Sequence, residues 1–192
     1  MPYTIKSALS VVVSLAVFSF GATASAEESA EAKIARAASA AHVSISGDAT
    51  IMDMDGSILR EGTNGWTCIP GIPLIPGNKN PMCNDSVWMD WIAAAQRGEE
   101  FTTEVMGTSY MLQGDAMVSN SNPAATDPNN GDVWVQEGPH LMLLLPKAAM
   151  AGMSRDPYAG GPYVMWGDTP LVHIMVPLDD KHGMPHMVGM GK

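Results

Sequence analysis

Cysteine, cations and long apolar runs are all scarce in this sequence. Its 192 residues include 2 Cys, and 10 Lys or Arg stand against 20 Asp or Glu, which gives a net charge of −10. An acidic chain without a cluster of cations is poorly suited to bind nucleic acid or an anionic membrane surface. Beyond the N-terminal region, no segment approaches the run of about 18 apolar residues that a membrane span needs, so we expect none.

Two common catalytic signatures are also missing. The sequence contains no Gly-x-Ser-x-Gly elbow, so a serine hydrolase has no local support. It contains no glycine-rich phosphate loop either. Composition and motifs together favour a binding or structural protein over an enzyme.

Residues 1–26 predict a cleavable secretory signal peptide. Lys6 precedes an apolar stretch from Ala8 to Phe20, and the small residues 24–26 form an Ala-x-Ala cleavage site. The apolar stretch is too short to span a bilayer. We therefore expect a protein that is periplasmic or secreted.

Cleavage leaves residues 27–192, enough chain for one globular domain with its own core. All 20 acidic residues remain and Lys6 is lost, so 9 cations face 20 anions and the net charge becomes −11. We expect a flexible C-terminal tail from about residue 180 to residue 192.

Cys68 and Cys83 are expected to form a disulfide, because an even cysteine count in an exported chain indicates an oxidising compartment. The segment between them is rich in Pro and Gly, which predicts a loop without a regular hydrogen-bonded ladder. A redox pair or a metal site is the alternative, although the spacing is far from Cys-x-x-Cys.

The pattern of elements predicts an α+β fold with a mainly antiparallel sheet and one clear helix. The helix is expected over 86–97, with Trp88 and Trp91 packed on one face of it. Two alternating runs around Asp55-Gly56 predict a hairpin. The remaining strands are expected in the segments 101–112, 133–136, 141–145, 163–166 and 171–176.

Three segments, residues 49–68, 110–115 and 138–144, resemble small exported bacterial proteins of uncharacterised function. The resemblance covers most of the mature chain. It implies a periplasmic location and a single fold, and it implies no activity.

The run Asp53-Met-Asp-Gly-Ser57 resembles the first motif of haloacid-dehalogenase-type phosphatases. The resemblance implies that Asp53 is the nucleophile, that Asp55 is the acid or base, and that Mg²⁺ assists. In that family a helix follows, whereas this sequence predicts a second strand. The Asp-Gly turn of a hairpin accounts for the same residues without catalysis.

Histidine and methionine offer a different chemistry. The sequence has 16 Met, and two of them follow a histidine at spacing i, i+2: His140 with Met142, and His173 with Met175. Residues two apart in a strand share a face, so each pair points one imidazole and one thioether the same way. If the two strands are neighbours, four soft ligands converge.

These residue types resemble those of periplasmic copper chaperones that hold Cu(I) with His and Met, and Met153 would stand for the middle Met of that pattern. The resemblance is chemical rather than familial. It implies a copper cofactor, since thioethers are soft ligands that select Cu(I). The alternative is that these side chains are ordinary core residues.

Two further interpretations stay open. The tail over 182–190 adds two His and three Met, a composition that can bind copper weakly or form a disordered end. The protein could instead be a structural or protein-binding module of the cell envelope. An exposed apolar patch around Trp66 or Trp134 would mark that function.

Overall fold

The computed structural model describes Met1 and residues 28–179, so the predicted cleavage site and the His/Met tail lie outside the described residues. Within them the helices are α1 (Ala30–Ala38), α2 (Val43–Ser46), α3 (Ser86–Gln96) and α4 (Lys147–Met150). The strands are β1 (Thr50–Met52), β2 (Ile58–Arg60), β3 (Thr67–Ile69), β4 (Met82–Asn84), β5 (Gly107–Met111), β6 (Val118–Ser119), β7 (Trp134–Val135), β8 (His140–Leu144), β9 (Tyr163–Met165) and β10 (His173–Pro177).

Eight strands form one sheet in the order β2-β1-β3-β4-β5-β8-β10-β9, and β6 pairs with β7 separately. Among the strand pairs of the described residues, only β1–β3 is parallel. The α+β class with a mainly antiparallel sheet is therefore as predicted. No helix in the described part of the chain is long and apolar enough to cross a membrane.

The helix count corrects the prediction of one clear helix. α1 has nine residues and α3 has eleven, so the two are of similar length. The Ser29 side chain accepts a hydrogen bond from the Ala32 N–H and begins α1, and Ala favours the helix that follows. From sequence alone, the Ala-rich segment 27–41 is compatible with a short helix or a loosely ordered lead-in, and the structure has the helix.

The helix α3 is held against the sheet by the residue that caps its N-terminus. Asp85 accepts the Trp88 N–H through Oδ1 and the Thr108 N–H through Oδ2, so one carboxylate caps the helix and fixes it to β5. Trp88 and Trp91 are buried as predicted.

Cys68 and Cys83 are bonded, as predicted. They lie directly opposite each other on β3 and β4. This corrects the expectation of an irregular region: the Pro-rich loop is irregular only between the strands, and its two ends are paired. A disulfide of this kind is typical of an oxidising, extracytoplasmic compartment.

The strand expected over 101–112 is confined to Gly107–Met111. Thr103 explains part of the difference, because its hydroxyl accepts the Val105 N–H and donates to the Val105 carbonyl. Local side-chain hydrogen bonds of this kind compete with the backbone hydrogen bonds that pair one strand with another.

One face of the sheet carries most of the core, and it is rich in sulfur. The register places five buried Met on this face, under α3: Met82, Met111, Met142, Met165 and Met175. The opposite face of β1, β3 and β4 packs against α1 and carries the disulfide.

Candidate functional site

The predicted His and Met pairs lie on neighbouring strands. β8 and β10 are antiparallel, and Met142 lies directly opposite Met175. His140 lies two residues to one side of this Met pair, opposite Pro177, and His173 lies two residues to the other side. All four share one face, yet the two histidines stand at opposite corners, about 13 Å apart along the strands.

Met153 is separated from these four residues. It lies after α4 and lines an open cleft of about 420 Å³, together with Arg155 and Asp168. Arg155 makes two hydrogen bonds to Asp168 there, at 2.6 and 3.0 Å. None of the other four predicted ligands lines this cleft, so Met153 does not complete their arrangement.

His173 is enclosed by aromatic rings. Its imidazole meets the rings of Trp88, Trp91 and Trp166 edge-on, with centroid distances of 5.8, 5.9 and 5.0 Å. The residue is buried. α3 supplies two of these tryptophans and the end of β9 supplies the third, so tertiary contacts build the enclosure.

The His173 ring is held in one tautomer. Its Nδ1 lies 2.9 Å from the Leu171 carbonyl oxygen, which can only accept, so the proton is on Nδ1 and the lone pair is on Nε2. Burial lowers the pKa of His173 to about 4, and the imidazole is neutral at neutral pH. A histidine fixed through Nδ1 to a backbone carbonyl has the arrangement of a metal ligand.

His173 lines a cavity of about 100 Å³ whose other walls are indoles, aliphatic side chains, thioethers and the Asp115 carboxyl group. The sulfur-bearing residues of the lining are Met82, Met111, Met142 and Met165. His140, Met175 and Met153 do not line this cavity. Of the five predicted ligands, His173 and Met142 therefore line the cavity. Three methionines that the i, i+2 pattern did not select line it as well.

The His140 ring is held by the same kind of hydrogen bond as His173, at a position outside this cavity. Its Nδ1 lies 2.7 Å from the Gly138 carbonyl oxygen, and its Nε2 is buried without a hydrogen-bond partner among the described residues. Burial lowers the pKa of His140. Its ring therefore presents a lone pair to the core beside Met111, its partner in the register.

Asp115 brings an ionisable carboxyl group to the wall of the cavity, and sequence analysis missed it. Burial raises its pKa to about 6, the Ala116 N–H opposes the rise, and the charge of Glu137 adds to it. Glu137 is itself buried and accepts a hydrogen bond from the Tyr163 hydroxyl at 2.8 Å. Nothing in the local sequence marks Asp115, because Glu137 and Tyr163 come from distant parts of the chain.

Trp166 closes the cavity in an unusual backbone conformation. Its φ is +53°, and it is the one residue other than glycine with positive φ in the described part of the chain. A bulky residue in this region costs about 1–3 kcal/mol and persists only where surrounding contacts impose it. The indole N–H donates to the Ser119 carbonyl at 2.8 Å, which holds the ring near His173.

The Asp53–Ser57 run forms the turn between β1 and β2, as the hairpin interpretation predicted. Asp53 is nearly buried and its Oδ2 lies 2.6 Å from Lys33 Nζ. Asp55 accepts two hydrogen bonds from Ser57, which lower its pKa. A strand follows the turn, where the phosphatase family has a helix. The catalytic roles of Asp53 and Asp55 stay a prediction.

Trp66 and Trp134 are each partly covered. Trp66 meets the Tyr110 ring edge-on, and the Trp134 indole N–H donates to Asn130. The large apolar side chains that are exposed in the described residues are others: Met1, Val43, Ile58, Val105, Met106, Val133 and Leu178.

In residues 28–179, no three His, Cys, Asp or Glu side chains form a group that could hold a metal ion. A site built on thioethers is of a different kind. No protein-family model matches the chain, and no curated protein or solved structure is significantly similar to it.

Proposed function

We propose that this protein binds one soft monovalent metal ion, Cu(I), in the cavity around His173. The ligands are His173 Nε2 and the Met142 thioether, with further sulfur from Met82, Met111 or Met165. The observation that carries the proposal is a neutral imidazole, fixed through Nδ1, on the wall of a cavity that four thioethers also line.

The donor set fits the chemistry of Cu(I). Thioethers are soft and uncharged, and imidazole suits copper, so the set favours Cu(I) over the hard cations that carboxylates hold. Met side chains have three rotatable bonds and can close around an ion without movement of the backbone. The indole rings of Trp88, Trp91 and Trp166 also attract a cation through their electron-rich faces.

The compartment supports the same choice. An extracytoplasmic address, periplasmic or secreted, agrees with the disulfide and with the predicted signal peptide. Because Cys68 and Cys83 are bonded to each other, the chain offers no thiolate there. Histidine and methionine are then the ligands left for a soft ion.

A titration of Cu(I) against a chromophoric competitor tests the proposal. It uses the full mature chain and a matched variant with these tail residues replaced by Ala: His182, Met184, His186, Met187 and Met190. We expect one tight equivalent in both proteins, with quenching of tryptophan fluorescence that saturates at the same point. Competition that disappears in the tail variant, or is never seen, overturns the proposal.

A second candidate function is the binding of a small organic molecule in the same cavity. The indole N–H groups of Trp88 and Trp91, which both line it, are buried without an acceptor among the described residues. A ligand with acceptor oxygens would satisfy them. Thermal-shift measurements with small carboxylic acids and amides test this function, and an unchanged melting temperature contradicts it.

A further inference from the structure

A second methionine-lined cavity lies on the other side of α3. Its volume is about 230 Å³. Three thioether residues line it, Met52, Met54 and Met89, and none of them belongs to the cavity around His173. Asp55 also lines it, at the rim formed by the β1–β2 turn.

Secondary structure brings these residues together. Met89 shares one helical face with Ile92, Ala93 and Gln96, which are three, four and seven residues further along α3 and line the same cavity. Met52 ends β1, and Met54 follows two residues later in the turn. The helix face and the turn therefore enclose the space from two sides.

One of the three sulfur atoms lies beside a glycine. A Cβ added at Gly71 would collide with the Asn78 carbonyl oxygen and would lie 3.2 Å from the Met54 sulfur, so a side chain at residue 71 would crowd both groups. Met52, Met54 and Met89 are partly buried, so solvent reaches them.

Charge favours a cation here. Asp55 places a carboxylate at the rim, where it accepts two hydrogen bonds from Ser57. Three uncharged thioethers with one carboxylate at the rim match a soft ion of single positive charge. Thioethers carry no proton to release, so proton competition does not weaken such a site.

We propose that Met52, Met54 and Met89 form an outer, solvent-open site for a soft monovalent metal ion, separate from the inner site around His173. The outer site takes up Cu(I) or Ag(I) reversibly from solution, and α3 separates it from the inner site. The choice of a soft monovalent ion rests on the proposed function. The choice of Met52, Met54 and Met89 as its ligands does not.

Methyl NMR of the mature chain labelled at the methionine ε-carbons tests both sites at once, with Ag(I) as a redox-inert probe in chloride-free buffer. Substituting each Met by Leu, one at a time, assigns the spectrum with little change in volume. We expect the methyl signals of Met52, Met54 and Met89 to shift together and to saturate together. The exposed Met106, outside both cavities, is the internal control.

The outcomes separate the two proposals. Shifts among the inner methionines without shifts of Met52, Met54 and Met89 overturn the outer site and leave the inner one. Shifts of Met52, Met54 and Met89 without shifts of the inner methionines overturn the inner site and leave the outer one. Met54→Leu should weaken Ag(I) binding at the outer site at least about tenfold. Equal shifts at Met106 would mean indiscriminate binding and would also overturn the outer site.

Discussion

Met142 and Met175 lie directly opposite each other on β8 and β10 and are both buried on one face, yet only Met142 lines the cavity around His173. The pair therefore provides a matched comparison. Both thioethers occupy the same core and differ in access to the proposed ion.

We expect Met142→Leu to weaken Cu(I) binding at least about tenfold, or about 1.4 kcal/mol, because one ligand is lost. Met175→Leu should leave the affinity unchanged. Competition titrations of the two variants measure the difference. Equal losses in both variants would show that the effect comes from the core and not from coordination.

Removal of the disulfide should lower stability. The Cys68→Ala/Cys83→Ala variant is expected to lose about 2–4 kcal/mol of unfolding free energy, because the unfolded chain is no longer constrained. Urea unfolding without reductant measures the loss. The wild-type protein under reducing conditions should show the same midpoint as the variant, and an unchanged midpoint in both would contradict a stabilising role.

The partly buried carboxyl of Asp115 should make stability depend on pH. Between about pH 4 and pH 6 the unfolded carboxyl ionises while the folded one keeps its proton, so the folded state loses stability as pH rises through this window. The loss is roughly 3 kcal/mol at most. Asp115→Asn should remove it, measured as the difference from wild type in urea unfolding at pH 4 and pH 7.

The lowered pKa of His173 makes stability rise with pH over an overlapping pH range, which opposes the effect of Asp115. The reason is that the unfolded imidazole binds a proton that the folded one does not. Comparison of wild type with Asp115→Asn cancels this contribution. Asp127→Asn, at an exposed position, is the control and should follow the wild-type pH profile. An Asp115→Asn profile parallel to wild type would refute the assignment.

The ion pair between Lys33 and Asp53 should contribute to stability. Its side chains are 23% and 12% exposed, so solvent screens the pair only partly. A double-mutant cycle with Lys33→Met and Asp53→Asn is expected to give a coupling energy of about 1 kcal/mol. A coupling energy of zero would contradict a stabilising role for this ion pair. Mg²⁺-dependent phosphate ester hydrolysis that disappears in Asp53→Asn would instead support the nucleophile interpretation.

Local signals predicted the elements that local interactions form. The Asp55-Gly56 turn and the capped helix with Trp88 and Trp91 lie where the sequence places them. β3 and β4 were missed because they flank a proline-rich loop and form by pairing over 15 residues. Turn chemistry and periodicity carry no information about such pairing.

The site was predictable only in part for the same reason. The i, i+2 spacing identified His173 and Met142, since alternation along a strand decides which face a side chain takes. It could not tell that α3 and Trp166 cover His173 and leave His140 outside the cavity. Asp115 reaches the cavity through tertiary packing, which leaves no local signal.

The most direct test compares two histidines that share tautomer, burial and strand environment. His173→Ala and His140→Ala are titrated with Cu(I) against a chromophoric competitor, and near-ultraviolet circular dichroism checks that each variant is folded. We predict an affinity at least about 100-fold lower for His173→Ala and a change within about threefold for His140→Ala. Wild-type affinity in a folded His173→Ala variant would contradict the account.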